Sequence, residues 1–161
     1  MIGIISDSHD NLVKIRQAVA LFKDLGCRLV LHAGDFVAPF AARELQAVGC
    51  PVKAVFGNCD GEIGGLTRTI QGFGEIRPEP FIFDWEDRRF LLAHLDKSVA
   101  RFAAEKSYDI IIFGHTHKPE IRETGRTLII NPGEAGGWLY GKSTVALLDP
   151  ALRKAEIVPI D

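Results

Sequence analysis

The sequence predicts an α/β protein with a four-layer αββα architecture, in which two mixed β-sheets are flanked by helices. In the first third of the chain, short apolar runs rich in branched residues alternate with segments of helical period. This pattern is typical of βαβ units and a parallel sheet. From Ile121 onward short strands dominate, which favours a second sheet. The length of 161 residues suits a single domain covering residues 1–161.

Three strands and two helices are predicted between residues 2 and 56. Apolar residues recur on one face of the first helix, among them Ile15, Val19 and Phe22, and Gly26 follows its end. Pro39 lies near the start of the second helix, where its missing N–H costs least. The strands are Ile2–Ser6, Arg28–His32 and Val52–Phe56, and the helices are Leu12–Leu25 and Val37–Val48.

The pattern changes after residue 56. Residues 57–74 are rich in glycine and are predicted to be mainly loop, with a short helix at Leu66–Ile70. A polar turn then joins two strands, and one further helix, Ser98–Lys106, precedes a buried strand. The strands predicted in this half are Phe81–Asp84, Arg89–His94, Asp109–Phe113, Leu128–Ile130, Ser143–Leu148 and Ala155–Ile160.

Composition excludes several classes of protein. Apolar residues make up 47% of the chain and charged residues 25%, which is ordinary for a globular protein. A formal charge of −2 leaves no basic stripe, so no specific nucleic-acid binding is expected. No apolar run is long enough to cross a bilayer, and the first residues resemble a strand rather than a signal peptide, so we expect a cytoplasmic protein. Three cysteines without CxxC spacing indicate neither a disulfide framework nor a zinc knuckle.

Polar clusters follow five of the predicted strands. In an open α/β sheet, ligands bind at the carboxyl ends of the strands, so these clusters are expected to converge. Imidazole, carboxylate and amide groups together suit Mn²⁺, Fe, Zn²⁺, Ni²⁺ or Co²⁺ better than Ca²⁺. The candidate ligands are Asp7, His9, Asp35, Asn58, His94, His115 and His117.

The number of candidates indicates two metal ions rather than one. Seven ligands are too many for one tetrahedral zinc, but they suffice for two ions if one carboxylate bridges. Two ions roughly 3.5–4 Å apart can clamp a phosphoryl group and lower the pKa of a bridging water. Because Asp7 and Asp35 are the only anionic candidates, two divalent ions would leave the site net positive. Such a site attracts phosphate.

Several candidates also have a simpler explanation. Asp7 could cap the helix that follows it, although Asn11 fills that role more naturally. Asn58 and Asp60 could be turn residues, and we expect Asn58 to bind metal and Asp60 to steady its loop. His94 could be packed at the end of an apolar strand.

Other polar and aromatic residues are left outside the ligand set. Asp10 is expected to steady its loop. His32 is expected to be a hydrogen-bonded residue at a strand end, with orientation of Asp35 as the alternative. Trp138 and Tyr140 are expected to pack or to contact another subunit, with stacking on a substrate ring as the alternative.

Taken in order, these clusters resemble the five motif blocks of the calcineurin-like metallophosphoesterase superfamily. The similarity is greatest to its short bacterial and archaeal branch of phosphodiesterases, and it spans nearly the whole chain. The matching blocks are Asp7-Ser8-His9, Gly34-Asp35, Gly57-Asn58-Cys59-Asp60, His94 and Gly114-His115-Thr116-His117, with Asn131-Pro132-Gly133 after them.

The resemblance implies a role for each ligand. Asp35 would bridge two divalent ions, and a hydroxide between the ions would attack phosphorus in line. Asn58 would also touch a phosphate oxygen, and the backbone at Gly114 and Gly133 would shape the mouth. Mn²⁺ is the first candidate, with Ni²⁺, Zn²⁺, Fe, Co²⁺ or Mg²⁺ as alternatives. The first ion would be held by Asp7, His9 and His117, and the second by Asn58, His94 and His115.

The sequence departs from the family pattern at two places. Cys59 stands where larger members have a histidine that aids departure of the leaving group, and the short branch also has cysteine there. After His94, relatives often have Gly-His where this chain has Leu95-Asp96. Asp96 could replace the missing histidine only if its pKa were raised, because an ionised carboxylate repels phosphate.

The function expected from this resemblance is metal-dependent hydrolysis of a small or nucleotide-like phosphodiester. A phosphomonoesterase with the same site is the first alternative. A non-catalytic protein-binding scaffold of the same fold is the second, although such scaffolds have usually lost ligands. A nuclease is the least favoured, since no basic groove is evident. The resemblance also leaves a homodimer open.

Overall fold

The computed structural model describes residues 1–160, which form strands, four α-helices and two short 3₁₀ segments. The strands are β1 (Ile2–Ile5), β2 (Leu29–His32), β3 (Val52–Val55), β4 (Gly74–Arg77), β5 (Phe81–Trp85), β6 (Arg88–Leu92), β7 (Ile110–Ile112), β8 (Glu120–Thr124), β9 (Thr127–Asn131), β10 (Thr144–Asp149) and β11 (Lys154–Pro159). The helices are α1 (Leu12–Asp24), α2 (Pro39–Arg43), α3 (Ile63–Ile70) and α4 (Val99–Ala104), and the 3₁₀ segments are Glu44–Val48 and Asp96–Ser98.

The strands form two mixed sheets. The first has six strands in the order β11-β10-β1-β2-β3-β4, and the second has five in the order β5-β6-β7-β9-β8. Strands β1 to β4 pair in parallel, whereas β10 and β11 add antiparallel edges. In the second sheet β6, β7 and β9 are parallel. The edge strands β5 and β8 pair antiparallel with β6 and β9, respectively.

Three apolar layers hold the elements together, and they confirm the predicted αββα architecture. Alternation along each strand decides which layer a side chain enters. Ile2 and Ile4 of β1 pack between the two sheets, whereas Ile5 packs under the helices of the first sheet. Gly3 faces α1 so closely that a Cβ there would lie 2.7 Å from the Phe22 ring. A third cluster packs α4 through Phe102 onto the outer face of the second sheet.

The second predicted helix is shorter than expected. Residues 37–48 were predicted to be one helix, but α2 begins at Pro39, and a 3₁₀ segment follows from Glu44 to Val48. Proline favours the first helical position, which explains the later start. Gly49 adopts a left-handed conformation with φ of 77° and ends the segment.

The short helix predicted within residues 57–74 is present, but the stretch is less loop-like than expected. Helix α3 begins at Ile63, three residues before the predicted start, and β4 begins at Gly74. Gly74 lies against the carbonyl of Val52 in β3, so closely that a Cβ would clash with that backbone. The glycine therefore marks a close approach of two strands rather than a loop.

No helix within residues 1–160 combines the length and apolar character that a bilayer crossing requires.

Candidate metal centre

Five loops meet at one edge of the sandwich, where strands of both sheets end. The loops after β1, β2 and β3 carry Asp7 and His9, Asp35, and Asn58. The loops after β6 and β7 of the second sheet carry the remaining three histidines, His94, His115 and His117. Because the two sheets face each other, their strand ends form the two sides of one site. The structure thus brings all seven predicted residues together.

One half of the site contains Asp7, His9 and His117, whose ligand atoms lie within 4.8 Å of one another. Asp7 is fully buried, and its Oδ1 lies 3.4 Å from Nε2 of His117. The rings of His9 and His117 stack with centroids 5.2 Å apart. Burial raises the pKa of Asp7, because a low-dielectric surrounding disfavours its charge. A cation beside this carboxylate would stabilise the ionised form.

Asp35 lies between the two halves. Its Oδ1 accepts the backbone N–H of Cys59 at 2.8 Å. Its Oδ2 faces Nε2 of His9 at 3.6 Å and Nε2 of His94 at 3.4 Å. Burial alone would raise the pKa of Asp35, but the contact with His94 and the Cys59 N–H outweigh it and hold the pKa at about 2. One ionised oxygen thus faces both halves of the site.

The other half contains Asn58, His94 and His115. Asn58 Oδ1 lies 2.8 Å from Nε2 of His94. The rings of His94 and His115 meet edge to face, with their centroids 5.2 Å apart. Nδ1 of His94 lies 2.8 Å from the carbonyl of Ala33. A carbonyl oxygen can only accept a hydrogen bond, so Nδ1 of His94 carries a proton. In a neutral ring, Nε2 would then be unprotonated and could bind a metal ion. Burial would lower the pKa of His94, but the contacts with Asp35 and the Ala33 carbonyl raise it, so in the metal-free protein a proton on Nε2 faces the oxygens of Asn58 and Asp35, at the place that a metal ion would take.

This arrangement fits a bound cation. Three acceptors aimed at one point repel one another unless a proton or a metal ion lies between them. Within residues 1–160, the ion pairs of Asp7 and Asp35 are all with histidines. Nε2 of His9 is buried and has no hydrogen-bond partner among these residues. Ligating histidines typically donate their other ring N–H to a carbonyl or carboxylate, as His94 and His117 do here.

The backbone at the site is strained. Positive φ angles occur at five of the seven residues: Asp7 (52°), His9 (39°), Asp35 (62°), His115 (67°) and His117 (60°). Each such conformation costs on the order of 1–3 kcal/mol and persists only where the surroundings enforce it. Hydrogen bonds between loops do so here, including Asp7 N–H to Gly34 O and His9 N–H to Asp35 O, at 3.0 and 3.1 Å. Strain of this kind is concentrated at functional sites.

Two acidic residues outside the predicted ligand set position the loops. Asp60 Oδ2 accepts the N–H groups of Asp35 and Gly57 at 3.0 and 2.7 Å, and its Oδ1 accepts that of Val37 at 2.7 Å. Asp10 Oδ1 accepts the N–H of Ala38 at 2.9 Å. Both residues steady loops as expected.

Glu134 lies at the candidate site and was not predicted from the sequence. It is buried, and its carboxylate lies 3.0 Å from Nδ1 of His117. Burial would raise its pKa, but hydrogen bonds from His117 and from the N–H groups of Leu139 and Tyr140 hold the pKa below its usual range. An ionised Glu134 fixes the proton of His117 on Nδ1 and turns Nε2 toward Asp7. The only sequence signal was its place directly after Asn131-Pro132-Gly133.

His32 lies outside the ligand cluster, at the end of β2. Its Nδ1 accepts the N–H of Gly34 at 3.1 Å, so Nε2 carries the proton and donates to Ser8 Oγ at 3.2 Å. The ring stacks on Phe36 with centroids 3.5 Å apart. Burial lowers the pKa of His32 well below its usual value. These contacts confirm the predicted hydrogen-bonded residue at a strand end.

The remaining predicted residues lie as follows. Asn11 accepts the N–H of Lys14 at 3.3 Å and caps α1, so Asp7 is free of that role. Cys59 is exposed and lines the cleft over the site. Asp96 is exposed in a 3₁₀ segment and does not line this cleft in the described structure.

Similarity to known proteins agrees with this geometry. The family model of the calcineurin-like phosphoesterase superfamily domain matches residues 1–151. A phosphodiesterase of Methanocaldococcus jannaschii is 37% identical over 155 residues, which cover 92% of each chain. A phosphodiesterase of Escherichia coli K12 is 27% identical over 141 residues, covering 80% of this chain and 75% of that protein.

Solved structures show the same likeness. An archaeal phosphodiesterase superposes with a TM-score of 0.93 at 34% identity, over 99% of each chain. Vacuolar protein sorting 29 from Cryptosporidium parvum superposes with a TM-score of 0.70 at 19% identity, over 98% of this chain and 95% of that one, which shows the fold alone. The motif blocks, the αββα fold and the matching relatives agree, and the chain belongs to the calcineurin-like phosphoesterase superfamily.

Proposed function

We propose that this protein is a metal-dependent phosphodiesterase acting on a small or nucleotide-like phosphate ester. The observation that carries the proposal is the position of Asp35, whose single free oxygen faces histidines of both halves of the site at 3.6 and 3.4 Å. A carboxylate placed this way suits two ions that share one ligand. Phosphodiesterases among its relatives support the diester as substrate.

The family implies divalent metal ions, and the donors present fit them. Mn²⁺ is the first candidate, with Ni²⁺, Zn²⁺, Fe, Co²⁺ or Mg²⁺ as alternatives. When bound, two such ions supply positive charge at the phosphate and make a nearby water more acidic. We assign Asp7, His9 and His117 to one ion, Asn58, His94 and His115 to the other, and Asp35 to both.

The side chains determine the charge of the site and how it holds a phosphate. Asp7 and Asp35 are the two carboxylates among the candidate ligands, and the histidines contribute no negative charge, so two divalent ions together with these ligands carry a net positive charge. Asn58 turns Oδ1 toward His94, which leaves its amide N–H₂ on the cleft side beside Cys59. That amide is placed to donate to a phosphate oxygen.

Protonation of the leaving group has weak support in this chain. Although Cys59 is exposed, partial desolvation of its thiol by the surrounding loops, together with Asp35, raises its pKa to about 11 in the metal-free protein, where it is a thiol at neutral pH and a weak acid. Asp96, the other candidate, does not line the cleft. We therefore expect turnover to favour esters with good leaving groups.

Hydrolysis of bis-p-nitrophenyl phosphate tests the proposal directly. Metal is removed, and Mn²⁺, Ni²⁺, Zn²⁺ and Mg²⁺ are added back singly to the wild type and to Asp35→Asn. Asp24→Asn, an exposed aspartate at the end of α1, is the matched control. Metal-dependent turnover that Asp35→Asn abolishes and Asp24→Asn retains would establish the proposed activity.

Two outcomes would replace it. A wide preference for p-nitrophenyl phosphate over the diester would indicate a phosphomonoesterase with the same site. Tight binding of two ions without turnover of either ester would favour a protein-binding scaffold. Cytoplasmic location and a homodimer stay predictions, for cell fractionation and sedimentation to test.

A further inference from the structure

The mouth of the site carries an exposed apolar segment. This mouth segment, residues 136–141, reads Gly136-Gly137-Trp138-Leu139-Tyr140-Gly141. Its three large side chains are 63%, 67% and 52% exposed, in chain order. Trp138 and Leu139 line a cleft of about 450 Å³ together with five of the seven candidate ligands, among them Asp35 and Asn58, and with Cys59 and Thr116. Exposed apolar surface beside a polar site marks a place where a ligand binds.

The mouth segment is held in place by the same loops that carry the candidate ligands. Trp138 Nε1 donates to the carbonyl of His9 at 3.2 Å. The N–H groups of Leu139 and Tyr140 donate to Glu134, at 3.1 and 2.7 Å for their shortest contacts. The N–H of Gly136 donates to Asp7 O at 3.0 Å. The indole is therefore held at its polar end, while most of the residue stays exposed.

Glycine permits this close attachment. A Cβ on Gly136 would lie 2.8 Å from the Trp138 ring and 3.1 Å from the carbonyls of Asp7 and Ser8. Gly137 and Gly141 have φ angles of 68° and 65°, which other residues rarely adopt. A segment fixed before substrate arrives loses little conformational entropy on binding.

The aromatic residues of the mouth segment differ in availability. Lys118 Nζ lies 5.6 Å from the centre of the Tyr140 ring, a cation–π contact that occupies one face. Trp138 has no such partner among the described contacts of residues 1–160, and it lines the cleft, whereas Tyr140 does not. Trp138 is thus the ring that a substrate group can cover.

We propose that Trp138 and Leu139 form a subsite for the organic group attached to the phosphate, and that it takes flat aromatic groups such as an aryl ring or a nucleobase. The subsite rests on the proposed phosphodiesterase function, because the phosphate must occupy the metal centre for its ester group to reach the indole. Offset stacking on a fixed aromatic ring contributes a roughly three- to tenfold preference.

Two diesters with the same leaving group isolate this subsite. Phenyl p-nitrophenyl phosphate and methyl p-nitrophenyl phosphate both release p-nitrophenolate and differ only in the group that stays. We expect Trp138→Ala to lower the phenyl-to-methyl ratio of kcat/KM by roughly three- to tenfold, and Trp138→Phe to retain most of it. Leu139→Ala lowers the ratio less. Leu152→Ala, an equally exposed leucine between β10 and β11, is the matched control and leaves the ratio unchanged.

Other results would overturn the subsite. Loss of kcat/KM to the same extent on both diesters would show that Trp138 acts only through the His9 loop. A wild-type dimer that Trp138→Ala converts to monomers in sedimentation, with the ratio unchanged, would make the mouth segment a subunit contact. If neither diester is hydrolysed with any metal, the proposed function fails. The subsite is then tested by calorimetry with phenylphosphonate and methylphosphonate, where equal affinities would overturn it.

Discussion

The carboxylate of Glu134 connects His117 to the mouth segment. It accepts a hydrogen bond from Nδ1 of His117 at 3.0 Å and also accepts the backbone N–H groups of Leu139 and Tyr140. One buried side chain thus orients a candidate metal ligand and fixes the wall of the cleft. A change at Glu134 should therefore affect metal binding and substrate selection together.

Glu134→Ala is expected to weaken metal binding. The substitution removes the acceptor that keeps the proton of His117 on Nδ1, and loss of such a partner typically costs 10- to 100-fold in metal affinity. Isothermal titration calorimetry of the metal-free protein with Mn²⁺ measures the change in affinity. Glu156→Ala, an exposed glutamate on β11, is the control. Unchanged affinity in Glu134→Ala would show that the hydrogen bond does not orient His117.

Gly57→Ala is expected to disable the site. A Cβ at residue 57 would lie 2.1 Å from Oδ1 of Asp35 and 2.4 Å from its backbone N, so the carboxylate that faces both halves of the site would have to move. Metal-dependent activity should fall at least about tenfold, because an ångström-scale displacement is costly at a reacting centre. Gly61→Ala is a stringent control, since a Cβ there meets nothing within 4 Å. Equal activity in the two variants would contradict the prediction.

Asp60→Asn is expected to destabilise the fold at the site. Asp60 accepts three backbone N–H groups, two of them through Oδ2, and an asparagine has only one acceptor oxygen. Leaving at least one of these N–H groups, which are buried or partly buried, without a partner costs about 1–3 kcal/mol. Urea unfolding of the metal-free protein measures this loss against Asp24→Asn, whose exposed side chain should cost within about 0.5 kcal/mol. A loss no larger than in the control would remove Asp60 from the loop framework.

The buried His32 is expected to make the metal-free protein sensitive to acid. Burial keeps the folded-state pKa of His32 well below that of the unfolded chain, which is near 6.5. Below that pH the unfolded state binds a proton that the folded state does not, so stability falls as the pH falls. The slope contributed by His32 approaches about 1.4 kcal/mol per pH unit. Urea unfolding at several pH values between about pH 5 and pH 7 gives the free energy of unfolding as a function of pH. We expect a shallower dependence for His32→Gln than for the wild type, and an unchanged dependence would contradict the prediction.

The residue pattern predicted much of the fold. Alternating branched runs and helical periods predict β1, β2 and β3 with α1, because each of these elements buries one regular set of side chains. Strand β4 was not predicted, because its first residue, Gly74, suggested a loop. The glycine is needed for the close contact with Val52, which forms only when the two strands pair. The change from α-helix to 3₁₀ helix at Glu44 was not predicted either, and Gly49, with a positive φ, ends the 3₁₀ segment.

The sequence by itself determined which chemical groups are available and that they follow strand ends. Parallel strands of one sheet end at the same edge, so Asp7, Asp35 and Asn58 had to lie near one another. Only the tertiary structure decided how the second sheet faces the first, and thereby which atoms of His94 and His117 point inward. It also decided the partners of Glu134, because hydrogen bonds between residues far apart in the chain depend on packing, which no local pattern encodes.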